Sequence, residues 1–271
     1  MQIKTTSYQD ILDSLCNVLG LDEQVILDIV DSAYYMFQKS CQILILDDQY
    51  NYFKSFSKEH MKNQIDKLYF YHISRRLDDS DNNGYCLPKV LTGNTKLAKY
   101  LSDYGLTFAY TDRLDMYVNG SKVNIYDTEK YTPYFKHRFE GDYSFKGYAF
   151  ADQLENNDMV KIAEGGPEFF CYLYQFVEDD DLIDYFINHS KLYKFEYLVP
   201  IEDVFFEDYD EITNDEKQVH IIIRALQRLY FYKYDPTFIR YDGDNPIMGM
   251  VEDKTLLKKY LISKTEIIEK K

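Results

Sequence analysis

The sequence predicts an α+β protein, in which a helical N-terminal region precedes a mixed, mostly antiparallel sheet with surrounding helices. Apolar residues recur at helical spacing through the first third of the chain. Later runs are short, rich in aromatic and β-branched residues, and separated by turn residues, as is typical of strands. Helical patterns return between those runs, which favours α+β over an all-β architecture. We expect residues 1–66 to form the helical region and residues 67–271 the α+β domain, as two regions or as one compact unit.

The first third contains three predicted helices. Ser7 is an N-cap residue, apolar residues follow at helical spacing to residue 19, and Gly20 is a suitable C-terminal stop. Asp22 caps a second helix. Residues 50–67 form a third amphipathic pattern. The run at residues 42–46 is compatible with a buried helix or a short strand.

The middle of the chain changes to strand patterns. Residues 69–77 and 106–110 are predicted strands, and residues 87–104 between them form one predicted helix. Asn119-Gly120 lies between two strand-like runs at residues 116–125, and this dipeptide is the strongest short hairpin signal.

The last third mixes both element types. Residues 195–199 are a predicted strand, and residues 215–232 are a long predicted helix with an apolar stripe. Arg224 and Arg228 lie four residues apart on this helix. The tail from residue 255 is predicted to be a short helix or strand.

The chain is strongly acidic, which restricts the partners that it can have. It carries 46 acidic and 31 basic residues, a formal charge of −15. This charge repels phosphate backbones, so general nucleic-acid binding is not expected. Acidic surfaces suit a basic protein partner or DNA mimicry, as in small phage or mobile-element proteins, and they also promote solubility. The 28 tyrosines indicate an interaction surface or an A/T-rich coding bias.

Cysteine usage and hydropathy predict a reduced, cytoplasmic setting. The four cysteines form no CxxC pair, and no secretory signal pattern occurs at the N-terminus. No apolar run is long enough to span a bilayer, so membrane association is not expected.

The common metal and nucleotide motifs do not occur. The five histidines are dispersed without HxxxH or HExxH spacing, so no metal site is predicted. A calcium-loop pattern begins at Asp79, but Val90 occupies the position of the required bidentate glutamate. GxxxxGK[ST], GxGxxG and GxSxG are also missing.

The strand at residues 68–77 turns polar at its end, where His72, Ser74, Arg75 and Arg76 occur together. One interpretation is structural: a backbone carbonyl binds the histidine, and local acids such as Asp78 pair with the arginines. The other interpretation is a binding site, because a strand that only packs a core has little use for this cluster.

Three segments resemble motifs of the His-Tyr-Glu class of ADP-ribosyltransferases. The segment Tyr-His-Ile-Ser, residues 71–74, resembles the first-strand motif of that family. Gly-Leu-Thr-Phe-Ala-Tyr, residues 105–110, resembles its glycine-then-strand element, and residues 196–204 resemble its final glutamate motif. The order matches the family, whereas Ile73 replaces the glycine that often follows the motif histidine.

This resemblance implies an NAD-dependent enzyme that transfers ADP-ribose to a macromolecular acceptor. Glu196 would be catalytic and stabilise an oxocarbenium-like transition state. His72 would bind the adenosine ribose, Ser74 the ribose or nicotinamide, and Tyr110 would stack on the nicotinamide. Tyr104 and Tyr117 are alternatives for the tyrosine, and Glu168 and Glu202 for the glutamate.

The two arginines add a role that the resemblance does not supply. Guanidinium groups match phosphate geometry, so Arg75 or Arg76 would bind the pyrophosphate of NAD. The sequence thus leaves three hypotheses: an NAD-dependent ADP-ribosyltransferase, a non-enzymatic acidic interaction protein with a basic partner, and an inactive member of the transferase fold.

Overall fold

We analysed a computed structural model of the chain. It describes residues 1–37, 45–125, 133–141, 143–167, 169–173, 176–177, 181–209, 212–251 and 254–268.

The fold is α+β, as the sequence predicts. The helices are α1 Tyr8–Leu19, α2 Glu23–Phe37, α3 Ile45–His60, α4 Leu87–Thr92, α5 Lys96–Asp103, α6 Pro133–Glu140, α7 Asp158–Glu164, α8 Phe170–Leu173, α9 Asp181–His189, α10 Asn214–Tyr234 and α11 Pro236–Arg240. The strands are β1 Gln2–Ile3, β2 Lys67–Arg76, β3 Leu106–Tyr110, β4 Leu114–Val118, β5 Ser121–Lys122, β6 Lys146–Tyr148, β7 Lys191–Pro200, β8 Val204–Phe206, β9 Ile247–Met250 and β10 Leu261–Glu266.

Two sheets contain these strands. In the seven-stranded sheet the order is β10-β7-β2-β6-β9-β8, with β1 beside β2. Strand β1 is parallel to β2, and β6 is antiparallel to β2 with Tyr71 opposite Tyr148. Strands β3, β4 and β5 form a separate antiparallel sheet.

The chain divides into two compact units. The first unit comprises Met1–Tyr71, Gly147–Asp158 and Glu196–Gly249, and the second comprises His72–Lys146, Met159–Phe195 and Met250–Lys271. The predicted helical region, residues 1–66, lies within the first unit.

The core of the first unit forms around α10, which packs against α1, α2 and α3. Ser7 caps α1 by accepting a hydrogen bond from the Asp10 amide, and Gly20 ends the helix with a φ of 63°. Helix α10 begins with a capping box between Thr213 and Glu216 and buries its apolar stripe.

The second unit has its own apolar core beneath the three-stranded sheet. Helices α4 and α5 pack on β3, and α6 packs on β4. The predicted hairpin is confirmed, because Asn119 and Gly120 have positive φ values of 48° and 80° between β4 and β5. Its core side chains are Leu91, Tyr100, Leu101, Leu106, Leu114, Met116, Ile125, Phe139, Phe169, Phe170, Leu173, Leu182 and Phe186.

Some predicted boundaries were wrong. The single helix expected at residues 87–104 is two helices, because Gly93 ends α4 and the Thr95 side chain caps α5. The third helix starts at Ile45 and ends at His60, before the predicted end at residue 67. The tail is a strand, β10. Of the ambiguous run at residues 42–46, residues 42–44 lie outside the described part of the chain.

Candidate functional site

The polar end of β2 lies in the second unit. Side chains alternate between the two faces of a strand, so His72, Ser74 and Arg76 share one face and Arg75 lies on the other. The structure therefore separates Arg75 from the three residues with which the sequence grouped it.

His72 is bound by a backbone carbonyl. Its Nδ1 lies 2.8 Å from the Lys146 carbonyl oxygen, and its ring packs 4.2 Å from that of Phe145. Burial and the charge of Arg76 lower the pKa of His72 to about 3. The neutral imidazole thus donates its Nδ1 proton to the carbonyl and presents Nε2 as an acceptor.

Arg75 is buried and holds the ends of two helices. Its Nε and Nη2 donate to the Glu164 carbonyl oxygen at 3.1 and 2.9 Å, and its Nη1 lies 3.4 Å from the carbonyl oxygens of Ile187 and Ser190. Glu164 is the last residue of α7, and the other two carbonyls lie at the C-terminus of α9. A guanidinium there satisfies carbonyl groups that a helix leaves unpaired.

Arg76 and Ser74 lie on the face of His72. The Arg76 guanidinium carbon lies 5.1 Å from the ring centroid of Phe195, and its Nη2 lies 3.5 Å from the Asn83 carbonyl oxygen. The Ser74 hydroxyl is buried and has no hydrogen-bond partner among the residues that the structure describes.

The remaining two predicted residues lie elsewhere. Tyr110 is at the end of β3 in the second unit, 43% exposed, with its ring edge-on to Tyr143. Glu196 belongs to the first unit. Burial is the main cause of the raised pKa values of Tyr69 and Tyr71, and the charge of Glu196 raises them further. The alternative glutamate Glu168 lies outside the described residues.

The cavity beside the two arginines is small. It measures about 70 Å³, and Asp78, Lys96 and Phe186 complete its walls. Ligand pockets are usually about 300–1,000 Å³. A cavity of this size does not accommodate a dinucleotide, and the Arg75 guanidinium is already bound to carbonyl oxygens, so Arg75 and this cavity as arranged do not fit NAD.

The acidic charge is unequally divided between the units. The first unit carries 11 Lys and Arg against 25 Asp and Glu, a net charge of −14, whereas the second carries 20 against 21, a net charge of −1. Together these values account for the total of −15. The acidic character of the chain is therefore a property of the first unit.

One exposed part of this acidic surface lies at the junction of α1 and α2. Burial raises the pKa of the Cys16 thiol, and the carboxylates of Glu23, Asp13 and Asp22 raise it further. Asp13, Asp22 and Glu23 are all exposed. Lys62 is also near, and its Nζ donates to the Gly20 carbonyl at 3.1 Å.

Sequence reasoning missed a buried charge cluster in the first unit. The Arg228 side chain is fully buried on α10 and forms ion pairs with Asp152, Asp242 and Asp244. Asp152 is bidentate, with 3.0 Å to both Nε and Nη2, and Asp242 Oδ1 lies 2.5 Å from Nη2. The local sign of this cluster in the sequence is the pair of acids Asp242 and Asp244 in one short segment.

The cluster contains more negative than positive charge. Burial raises the pKa values of Asp242 and Asp244 despite the attraction of Arg228. Asn245 and Asn157 donate to Asp242 Oδ2 at 2.8 and 3.1 Å. Asp242 adopts a positive φ of 55°, a conformation that costs a non-glycine residue free energy. The surrounding hydrogen bonds hold it in that conformation.

Comparisons with protein families, curated proteins and solved structures find no match to this chain. The resemblance to ADP-ribosyltransferases therefore stays a prediction. In the described part of the chain, no helix has the length and apolar content that crossing a bilayer requires. The same residues contain no group of three or more His, Cys, Asp or Glu arranged to hold a metal ion.

Proposed function

We propose that the chain is a non-enzymatic acidic interaction protein that binds a basic protein partner through its first unit. The observation that carries this proposal is the charge division, −14 in the first unit against −1 in the second. A concentrated negative field attracts a positively charged surface and speeds its association. A partner that normally holds nucleic acid has such a surface, so DNA mimicry is the specific form that we propose, in a cytoplasmic setting.

The polar end of β2 supports the same conclusion. A guanidinium directed at the pyrophosphate would favour NAD binding there. Arg75 instead binds helix carbonyls, and His72 is neutral and bound to a carbonyl. This is the structural interpretation of the cluster.

The proposal is tested with core histones as a basic probe. The protein carries a fluorescent label, and its anisotropy is followed during titration with histones at about 50 and about 300 mM NaCl. We expect binding at the lower salt concentration and an affinity at least about tenfold weaker at the higher one. Serum albumin, another acidic protein, serves as the labelled control for charge alone. Failure to bind at low salt, or affinity no better than that of albumin, would contradict the proposal.

The second candidate is NAD-dependent ADP-ribosyl transfer to a macromolecular acceptor. The observation in its favour is that His72 presents Nε2 as an acceptor on the same face as the unpartnered Ser74 hydroxyl, where a ribose hydroxyl would be bound.

Calorimetric titration of NAD into the wild type and His72→Ala distinguishes the two candidates. Micromolar binding that His72→Ala abolishes would favour the transferase, and NAD turnover lost in Glu196→Ala would then identify the catalytic residue. Absence of heat at millimolar NAD would favour the interaction protein.

A further inference from the structure

The first unit contains a cavity of about 370 Å³ that the proposed function does not use. Four of its lining residues lie on one face of α10, at spacings of four, three and four: His220, Arg224, Gln227 and Phe231. Tyr50 of α3 and Phe238 of α11 also line it. The volume falls within the range of about 300–1,000 Å³ that is usual for small-molecule sites.

Two buried nitrogen atoms at this cavity lack hydrogen bonds. His220 is 2% exposed, and its Nδ1 lies 3.4 Å from the Tyr50 hydroxyl. Its Nε2 and the Arg224 Nε have no partner among the described residues. Unpaired buried polar groups are costly and therefore rare in native proteins, so these atoms indicate an unfilled requirement for a polar partner.

Arg224 is held in place at the cavity. Its Nη2 donates to the Asp244 carbonyl oxygen at 2.9 Å, and its Nη1 donates to Gln227 Oε1 at 3.2 Å. These two bonds fix the guanidinium plane, so little conformational entropy is lost when another group binds it.

The charges around the cavity disfavour an anionic ligand. Among the charged residues that line it, Arg224 is a cation and Asp208 and Asp244 are carboxylates, of which Asp244 also pairs with Arg228. Burial and the charge of Arg224 lower the pKa of His220 to about 3, so the imidazole adds no positive charge. A ligand that brings a further negative charge meets a net negative surface.

Aromatic side chains form the rest of the lining. The Tyr209 ring is edge-on to His220 at 4.7 Å, and the rings of Phe231 and Phe238 lie 4.4 Å apart. Such side chains pack favourably against a flat ring.

We infer that this cavity binds a neutral planar heterocycle in which a carbonyl group adjoins an N–H group, as in a nucleobase. The carbonyl oxygen of the ligand accepts hydrogen bonds from the side chains of Arg224 and His220. The ring N–H of the ligand donates to the carboxylates of Asp244 and Asp208. This inference is independent of the proposed binding of a basic protein.

Saturation-transfer NMR on the full chain tests it with guanosine and uridine as probes and benzoate as the anionic control. We expect a nucleoside to bind with a dissociation constant below about 1 mM and benzoate to bind at least about tenfold more weakly. No binding of either nucleoside at about 5 mM, or binding of benzoate with equal affinity, would overturn the inference.

Three variants locate the site. Arg224→Gln removes the charged donor, and Tyr209→Ala removes an aromatic ring that is 37% exposed. Tyr35→Ala, in the same unit but 67% exposed and outside the cavity, is the matched control. We expect the first two to weaken nucleoside binding at least about tenfold and the control to leave it unchanged. If Tyr209→Ala, folded by circular dichroism, binds as tightly as the wild type, the ligand lies elsewhere.

Discussion

Each unit buries an arginine, but the two arginines have different partners. In the first unit, Arg228 is surrounded by the carboxylates of Asp152, Asp242 and Asp244. In the second, the guanidinium of Arg75 donates to backbone carbonyl oxygens at the C-termini of α7 and α9. The first arrangement joins charges, whereas the second completes the hydrogen bonding of helix ends.

The two arginine sites correspond to different charge distributions in the two units. Arg228 pairs with three buried carboxylates, so it does not offset the acidity of the first unit. Exposed acids of that unit, such as Asp13 and Glu23, add to its negative charge. In the second unit the buried arginine donates to neutral carbonyl groups, and the unit as a whole carries a net charge of only −1.

Removing the two arginines gives the largest expected effects. Arg228→Met leaves three carboxylates buried without a cation, so we expect the free energy of unfolding to fall by about 3–5 kcal/mol. Arg75→Met leaves neutral carbonyl groups unpaired, for which we expect a loss of about 1–3 kcal/mol. Unfolding of each variant in guanidinium chloride at neutral pH measures both losses of free energy. Arg240→Met, on the exposed surface of the first unit, is the control and should change little.

The two losses of free energy should depend differently on pH. The Arg228→Met loss should shrink as pH falls, because protonation removes the charge of carboxylates whose pKa values are already raised. The Arg75→Met loss should stay constant. Two losses that are equal in size and in pH dependence would contradict the different roles of the arginines.

Each unit also contains a neutral histidine: His220 is buried in the first, and His72 is half-buried in the second. The pKa of each is lowered from 6.5 to about 3 in the folded protein. Between these two pH values the imidazoles bind protons in the unfolded chain but not in the folded chain. Stability therefore falls as pH decreases from about 6.5 toward about 3. Each histidine contributes a slope of up to about 1.4 kcal/mol per pH unit.

Substitution separates these two slopes. His220→Gln and His72→Gln should each flatten the dependence of unfolding free energy on pH between about 6.5 and about 5, whereas His189→Gln, an exposed control, should not. If neither His220→Gln nor His72→Gln changes the slope of unfolding free energy against pH, these imidazoles titrate normally in the folded state.

Helix caps give the smallest expected effects and should be similar in the two units. Thr213 caps α10 in the first unit, and Thr95 caps α5 in the second. Thr→Ala at either position should cost about 1 kcal/mol, and Thr213→Ser should restore most of that loss. Thermal and chemical unfolding measure it. A loss above about 3 kcal/mol at either site would mean that the side chain does more than cap.

Local signals in the sequence predicted much of the fold. Ser7 and Gly20 delimit α1, and Asn119-Gly120 forms the turn between β4 and β5. The apolar stripe at residues 215–232 lies within α10. Each of these depends on residues close together in the chain. The break between α4 and α5 was missed because helical spacing continues across Gly93 and Thr95.

The sites were harder to predict because they depend on residues far apart in the chain. Asp152 lies 76 residues from Arg228, and no periodicity relates the two. The polar cluster on β2 is visible in the sequence, but the sequence is compatible with both its structural and its functional interpretation. The carbonyl partners of His72 and Arg75 come from residues 74 and 89 to 115 positions away.

Charge reversals in each of the two units test whether the first unit binds the basic partner. Asp13→Lys/Glu23→Lys alters the first unit and Asp103→Lys/Asp184→Lys the second, at exposed helical positions and with the same change in net charge. Binding of core histones at about 50 mM NaCl is measured for both. We predict that the first pair weakens binding about tenfold and the second less than about twofold. Equal weakening by both pairs would contradict recognition through the first unit.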